Sequence, residues 1–131
     1  MRPWVEVFAV FIVSHLVGDY MLQTDWQARH KHGALRGTAE MRRALVSHVT
    51  TYTLAFVPAL VWLWPGLHAG VFGIAALIFF PHLIQDDGEL LAAYSRIVKK
   101  ADLKTNLSLA AALDQSFHIL VLFGIALLAG T

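Results

Sequence analysis

Three histidine–aspartate pairs, each four residues apart, lie inside stretches that otherwise read as membrane-spanning helices: His15 and Asp19, His82 and Asp86, Asp114 and His118. A fourth apolar stretch carries a lone histidine, His48. Four residues turn an α-helix through about 400°, so each pair projects from one face, one turn apart. Ionisable groups in hydrocarbon are costly unless they face the inside of a helix bundle and find partners there. The pattern therefore constrains the chain to a bundle whose helices turn these seven side chains towards one another.

The composition around them agrees. Of 131 residues, 57% are hydrophobic and 15% charged, and the mean hydropathy of +0.60 is too high for an ordinary soluble domain. The expected fold is an all-α integral membrane protein, a single domain over residues 1–131 built as a four-transmembrane-helix bundle. Hydropathy places the spans at 5–22, 44–64, 69–91 and 107–129, each long enough for about 30 Å of hydrocarbon. The third is interrupted by Gln85-Asp86-Asp87-Gly88-Glu89, which predicts an exit near Ile84 and a helix along the interface. Residues 65–68 predict a tight turn. The first connection, 25–43, is polar, and a Thr24-x-x-Gln27 capping box predicts a short helix there. With no cysteine there are neither disulfides nor thiolate ligands. A net charge of +1 gives no case for nucleic-acid binding. Met1-Arg2-Pro3 and the following apolar run resemble a signal peptide. However, His15 and Gly18-Asp19 stand where a small-residue cleavage site would fall, so the segment is expected to be retained.

Basic residues orient the bundle. Arg29, Lys31, Arg36, Arg42 and Arg43 fall in the first connection, and Arg96, Lys99, Lys100 and Lys104 in the third. The positive-inside rule puts both connections in the cytoplasm and both termini outside, as a multi-pass protein of the bacterial cytoplasmic (inner) membrane. Trp4, Trp62 and Trp64 then lie at the outer interface, where an aromatic belt belongs. At 1.5 Å per residue, all seven acid and histidine side chains fall roughly 4–17 Å from the cytoplasmic edge. Four antiparallel helices thus bring them into one polar, metal-binding layer in the cytoplasmic half.

Three carboxylates in one low-dielectric layer repel one another unless positive charge joins them. One or two divalent transition metal ions would supply it, held by His15, Asp19, His48, His82, Asp86, Asp114 and His118. Mixed imidazole and carboxylate ligands suit zinc, manganese, iron or nickel. Any histidine left unligated is a candidate acid or base. His48 is the first choice for this catalytic role, having no partner at i+4. Gln23, Gln85 and Gln115 are expected to support the ligands or to join helices. Asp87 points about 100° away from Asp86 and is left out, while Glu89 returns to the His82 face. His30, His32 and His68 are expected in solvent, Thr51 and Tyr52 in the core, and Arg42-Arg43 as a topology anchor.

The ordered set His15-Leu-Val-Gly-Asp19-Tyr-Met-Leu-Gln23-Thr-Asp-Trp26, then His48, His82-Leu-Ile-Gln-Asp86 and Asp114-Gln115-Ser-Phe-His118 resembles a small bacterial membrane-protein family, domain of unknown function 3307. The resemblance covers nearly the whole chain and implies an all-helical integral membrane protein without an established activity. A loosely similar group is described as predicted membrane-bound metal-dependent hydrolases. Many relatives carry a lysine three residues after the acid matching Asp86; here that position is Glu89, so its role does not transfer.

The expected function is a metal-dependent membrane hydrolase or phosphotransferase acting on a lipid or lipid-linked substrate at the inner leaflet. Metal or proton transport, or a metal-stabilised scaffold, are the alternatives. Transport is disfavoured because the outer half of the spans lacks ionisable residues except Glu6.

Overall fold

The computed structural model describes residues 1–131, and all its regular structure is helical. Helix α1 (Trp4–Leu16) runs directly into a wide π-turn, Val17–Met21. A short α2 (Asp25–His30) and a 3-10 turn (Ala34–Arg36) occupy the first connection before α3 (Ala39–Leu54). Then come α4 (Val57–Leu67), α5 (Gly70–Asp87) and α6 (Glu89–Tyr94). A second π-turn, Ser95–Lys99, precedes the long α7 (Leu107–Ala129).

Local chemistry sets these boundaries. Thr24 Oγ1 accepts from the Gln27 N–H while Gln27 Oε1 accepts from the Thr24 N–H, the reciprocal box that starts α2. Helices α3 and α4 meet at 54°. Pro58, in the first turn of α4, has no N–H for the Leu54 carbonyl and crowds it with its ring. The second expected span is therefore two helices set at an angle. Helix α4 continues to Leu67 through the residues expected to turn, and the chain reverses at His68, with φ 48°. Gly88, with φ 82°, ends α5 in the left-handed region that glycine enters without strain. The break in the third segment thus falls four residues beyond Ile84.

Two stretches, Trp4–Met21 and Leu107–Ala129, are long and apolar enough to cross a membrane, and the bent α3–α4 pair makes a third if it is one span. Helix α5 is apolar as far as Phe80 but carries His82, Gln85, Asp86 and Asp87 in its last turns. Its exposed face, with Phe72, Leu77, Phe80 and Ile84, is as apolar as that of α7, where Leu120, Phe123, Leu127 and Leu128 are exposed. Such a continuous apolar exterior is compatible with contact to lipid.

Helix α1 packs on α7, α7 on α5 and α5 on α3, closing a bundle with two tiers. One tier is apolar: Val7, Phe11, Phe56, Ile74, Ile78, Leu122 and Ala126 belong to one buried cluster, with Phe11 and Phe56 edge to face at 5.6 Å. The chain ends close this tier, the Trp4 N–H donating to the Thr131 carbonyl at 3.1 Å and the Thr131 N–H to the Arg2 carbonyl at 3.0 Å. The other tier contains nearly all the buried polar side chains.

Candidate metal centre

Four ligand atoms from three helical segments converge in the polar tier. Asp19 comes from the π-turn after α1, His48 from α3, and His82 and Asp86 from α5. His48 Nε2 lies 3.3 Å from Asp19 Oδ1, 2.8 Å from Asp86 Oδ2 and 3.2 Å from His82 Nε2. His82 Nε2 lies 3.4 Å from Asp19 Oδ1 and 3.2 Å from Asp86 Oδ2. A tetrahedral ion with ligand distances of about 2.0–2.1 Å sets its ligand atoms about 3.3–3.4 Å apart. Five edges of that figure are thus present, from 2.8 to 3.4 Å. Asp19 Oδ1 is sealed from solvent without a hydrogen bond, as an oxygen reserved for an ion would be.

A second group shares Asp86. His118 Nε2 stands 3.1 Å from Asp86 Oδ1, and Asp114 completes a set close enough to hold an ion. His118 Nδ1–H donates to the Asp114 carbonyl at 2.7 Å, which fixes the tautomer and turns the Nε2 lone pair towards the carboxylate. Two lone pairs facing each other at that distance call for a cation or a proton between them. Asp114 is the most open of the three acids, its side chain 30% exposed against 8% for Asp19 and 1% for Asp86.

His15 is not brought into either group. Its Nε2–H donates to Gln115 Oε1 at 2.8 Å, and its Nδ1 accepts from the Tyr52 hydroxyl at 3.0 Å. The Gln115 amide is oriented in turn by its Nε2 donating to Asp114 Oδ2 at 3.2 Å. As placed, His15 has no lone pair left for a metal. Its Nδ1 also lies 3.5 Å from Asp19 Oδ2, one turn on, in the π-turn where the Leu22 N–H reaches the Val17 carbonyl, five residues back. His15 becomes the hub joining Tyr52 on α3 to Gln115 on α7.

Tyr52 does more than fill the core. Its ring lies parallel to His82 with centroids 3.5 Å apart, while its hydroxyl orients His15. Gly18 makes room: a Cβ there would stand 2.6 Å from Tyr52 Cδ2. The Nδ1 atoms of His48 and His82 have no partner.

The residue sequence reasoning missed is Lys31. The first connection folds back over the polar tier, and Lys31, 7% exposed, donates to Asp86 Oδ2 and to Gln23 Oε1, each at 2.8 Å. Asp87 holds this segment down. Its Oδ1 accepts from the Leu35 N–H at 2.8 Å and its carbonyl from the Gly33 N–H at 2.7 Å. Gln27, one turn before Lys31, adds a hydrogen bond to Ser47 on α3 at 3.1 Å. Lys31 sits among exposed basic residues in the sequence, and the sole signal for it is indirect, the unmet charge of the three acids in one layer. Gln85 joins α5 to the Phe117 carbonyl on α7, and Glu89 stays exposed, outside both groups.

The fold and site thus define an all-helical chain with membrane-compatible helices around a buried histidine–aspartate cluster that could hold a metal ion. The chain belongs to the family described as protein of unknown function (DUF3307), which matches residues 7–131. No curated protein and no solved structure matches it.

Proposed function

We propose that this chain is a four-span protein of the bacterial inner membrane whose polar tier binds divalent transition metal and hydrolyses, or transfers phosphate from, a lipid or lipid-linked substrate at the inner leaflet. The observation that carries the reading is the convergence of Asp19 Oδ1, His48 Nε2, His82 Nε2 and Asp86 Oδ2 at the separations of a tetrahedral ligand set. An ion held by three of these four donors, with the remaining position open, would lower the pKa of a bound water to about 7 and polarise a phosphoryl or ester oxygen.

Charge supports a site of one or two ions. Asp19, Asp86 and Asp114 carry three negative charges, Lys31 returns one, and a single divalent ion balances the rest. A second ion on Asp86, Asp114 and His118 would leave the tier with two positive charges, suited to a phosphate dianion. In this geometry His48 serves as a ligand, and the acid–base role passes to His118 when only one ion is bound. The apolar tier between the cluster and the chain ends supports an enzyme over a transporter, because it offers an ion no polar route.

Elemental analysis of detergent-purified protein, followed by turnover of a phospholipid and ester panel with and without chelator, tests the reading. Bound metal and chelator-sensitive hydrolysis are expected. Metal flux through liposomes without hydrolysis would favour transport, and a metal-free chain would remove the enzyme.

A further inference from the structure

We propose that the acid-lined cavity between the first connection, α6 and α7 is the entrance for divalent cations, and that Asp86 passes each ion inward from Asp114 and His118 to the sealed set of Asp19, His48 and His82. The proposal deepens the reading above by giving the metal centre a loading route, and it rests on that reading for the binding of metal alone. The cavity, about 520 Å³, is lined by Asp87, Glu89 and Asp114 with His32 and a single ammonium, that of Lys104. Three carboxylates against one ammonium favour a cation, and a cleft with an excess of one sign of charge raises the local concentration of its counter-ion. The space exceeds that of several waters at about 30 Å³ each, so an ion enters with part of its hydration shell in place.

Asp114 joins this cavity to the metal layer. Its carboxylate, 30% exposed, lines the cavity and also belongs, with Asp86 and His118, to a set whose ligand atoms lie within 4.8 Å of one another. His118 Nε2 is sealed from solvent, has no hydrogen-bond partner and faces Asp86 Oδ1 at 3.1 Å. A buried ring nitrogen in that state is a ligand left free for an ion. Asp86 spans the two sets. Its Oδ1 faces His118, while its Oδ2 lies 2.8 Å from His48 Nε2 and 3.2 Å from His82 Nε2. One carboxylate thus offers an oxygen to each ion position, and an ion moves inward by exchanging one oxygen for the other, with no change of backbone.

Three other approaches are unfavourable to a cation. Towards the chain ends stands the apolar tier. On the side covered by Lys31, its ammonium lies 2.8 Å from Asp86 Oδ2 and repels an incoming ion. The neighbouring slot between α5, α6 and α7 is walled by Leu90, Leu91, Tyr94 and Phe117, and there an ion would lose its water against carbon before it reached Asp114.

The test is the rate of cobalt(II) uptake by the whole chain, purified in detergent and stripped with chelator, followed by stopped flow through the intense visible absorption of tetrahedral cobalt. Release into excess chelator gives the reverse rate. Glu89→Lys and Ala111→Arg, at exposed positions on the cavity wall, should each slow uptake by about 10-fold at low ionic strength and by much less at high salt. Release should slow with uptake, because a group on the route and not at the destination raises one barrier in both directions. Glu40→Lys makes the same change of net charge at an exposed position outside the cavity and should leave both rates alone. Asp114→Asn should still develop the tetrahedral absorption, but more slowly. Equal slowing by Glu40→Lys and Glu89→Lys would mean a general effect of charge and would overturn the entrance. Slower uptake with faster release in Glu89→Lys would place that charge at the destination and overturn it too, and an unchanged rate in Asp114→Asn would overturn the order of transfer. A chain that takes up no cobalt overturns both the route and the metal centre. Uptake by this route without hydrolysis of any lipid or ester keeps the route and removes the hydrolase.

Discussion

Replacing Lys31 by methionine keeps the length of its buried stem and deletes its charge. In metal-free protein the change leaves Asp86, 1% exposed, without its ammonium partner. Breaking a buried ion pair costs about 3–5 kcal/mol. His48 and His82 lie 2.8 and 3.2 Å from the same carboxylate oxygen and still face it, which argues for the lower end. The expected loss is therefore about 3 kcal/mol, or on the order of 10 °C in the unfolding midpoint. A divalent ion at 100 times its Kd adds about 2.7 kcal/mol of stability. In the variant that ion meets Asp86 with no ammonium beside it, so its stabilising effect should grow by most of what was lost. The assay is thermal unfolding in detergent, followed by near-ultraviolet circular dichroism, in chelator and in zinc. A chelator midpoint equal to that of the unchanged chain would show that Lys31 contributes no counter-charge. A variant as far below the unchanged chain in zinc as in chelator would show that metal and Lys31 do not act on one charge.

Metal content should fall sharply in Asp19→Asn and Asp86→Asn, fall by less in Asp114→Asn, and stay unchanged in Asp87→Asn, whose amide oxygen still accepts from Leu35; elemental analysis of purified variants checks all four. Gly18→Val should push Tyr52 off His82 and lower metal affinity by about 10–100-fold, the usual cost of disturbing groups that orient ligands, measured by competition with a chromophoric chelator. Unchanged affinity would show that the Tyr52–His82 stack is incidental. Single cysteines at Lys99 and Thr131, in a chain that has no cysteine of its own, should be labelled from opposite sides of the membrane, and labelling of Thr131→Cys only from the cytoplasmic side would overturn the four-span arrangement.

Much of the site was legible because periodicity and depth are local properties. The distances of His48, His82, Asp86 and Asp19 from the ends of apolar runs put them in one layer, and the fold brings their ligand atoms together. The π-turn was not legible. The wider i→i+5 turn at Val17–Met21 is marked by no residue type. Nor was the bend at residues 55–56, since Pro58 follows an apolar run that continues on both sides. The insertion of Lys31 depends on Asp87 and Gln27 holding a connection against the bundle, contacts between residues distant in sequence. The capping box at Thr24 is a strictly local signal, and it starts the helix that ends at Lys31.

The polar last turns of α5 bear on how the chain is assembled. In a four-span arrangement this helix must enter the bilayer with His82, Gln85 and Asp86 near its inner end, and an aspartate within a span opposes insertion by up to about 2.5–3.5 kcal/mol, less towards the interface. In that arrangement the helix that contributes most to the proposed metal layer would be the one least able to partition into lipid by itself. Its hairpin partner α4 and the cation of Lys31 would then have to reach it during biogenesis, which would make insertion of α5 and formation of the site one event. Sequences that strengthen its hydrophobicity would insert more readily and lose the centre, a conflict that fixes how apolar this helix is able to become.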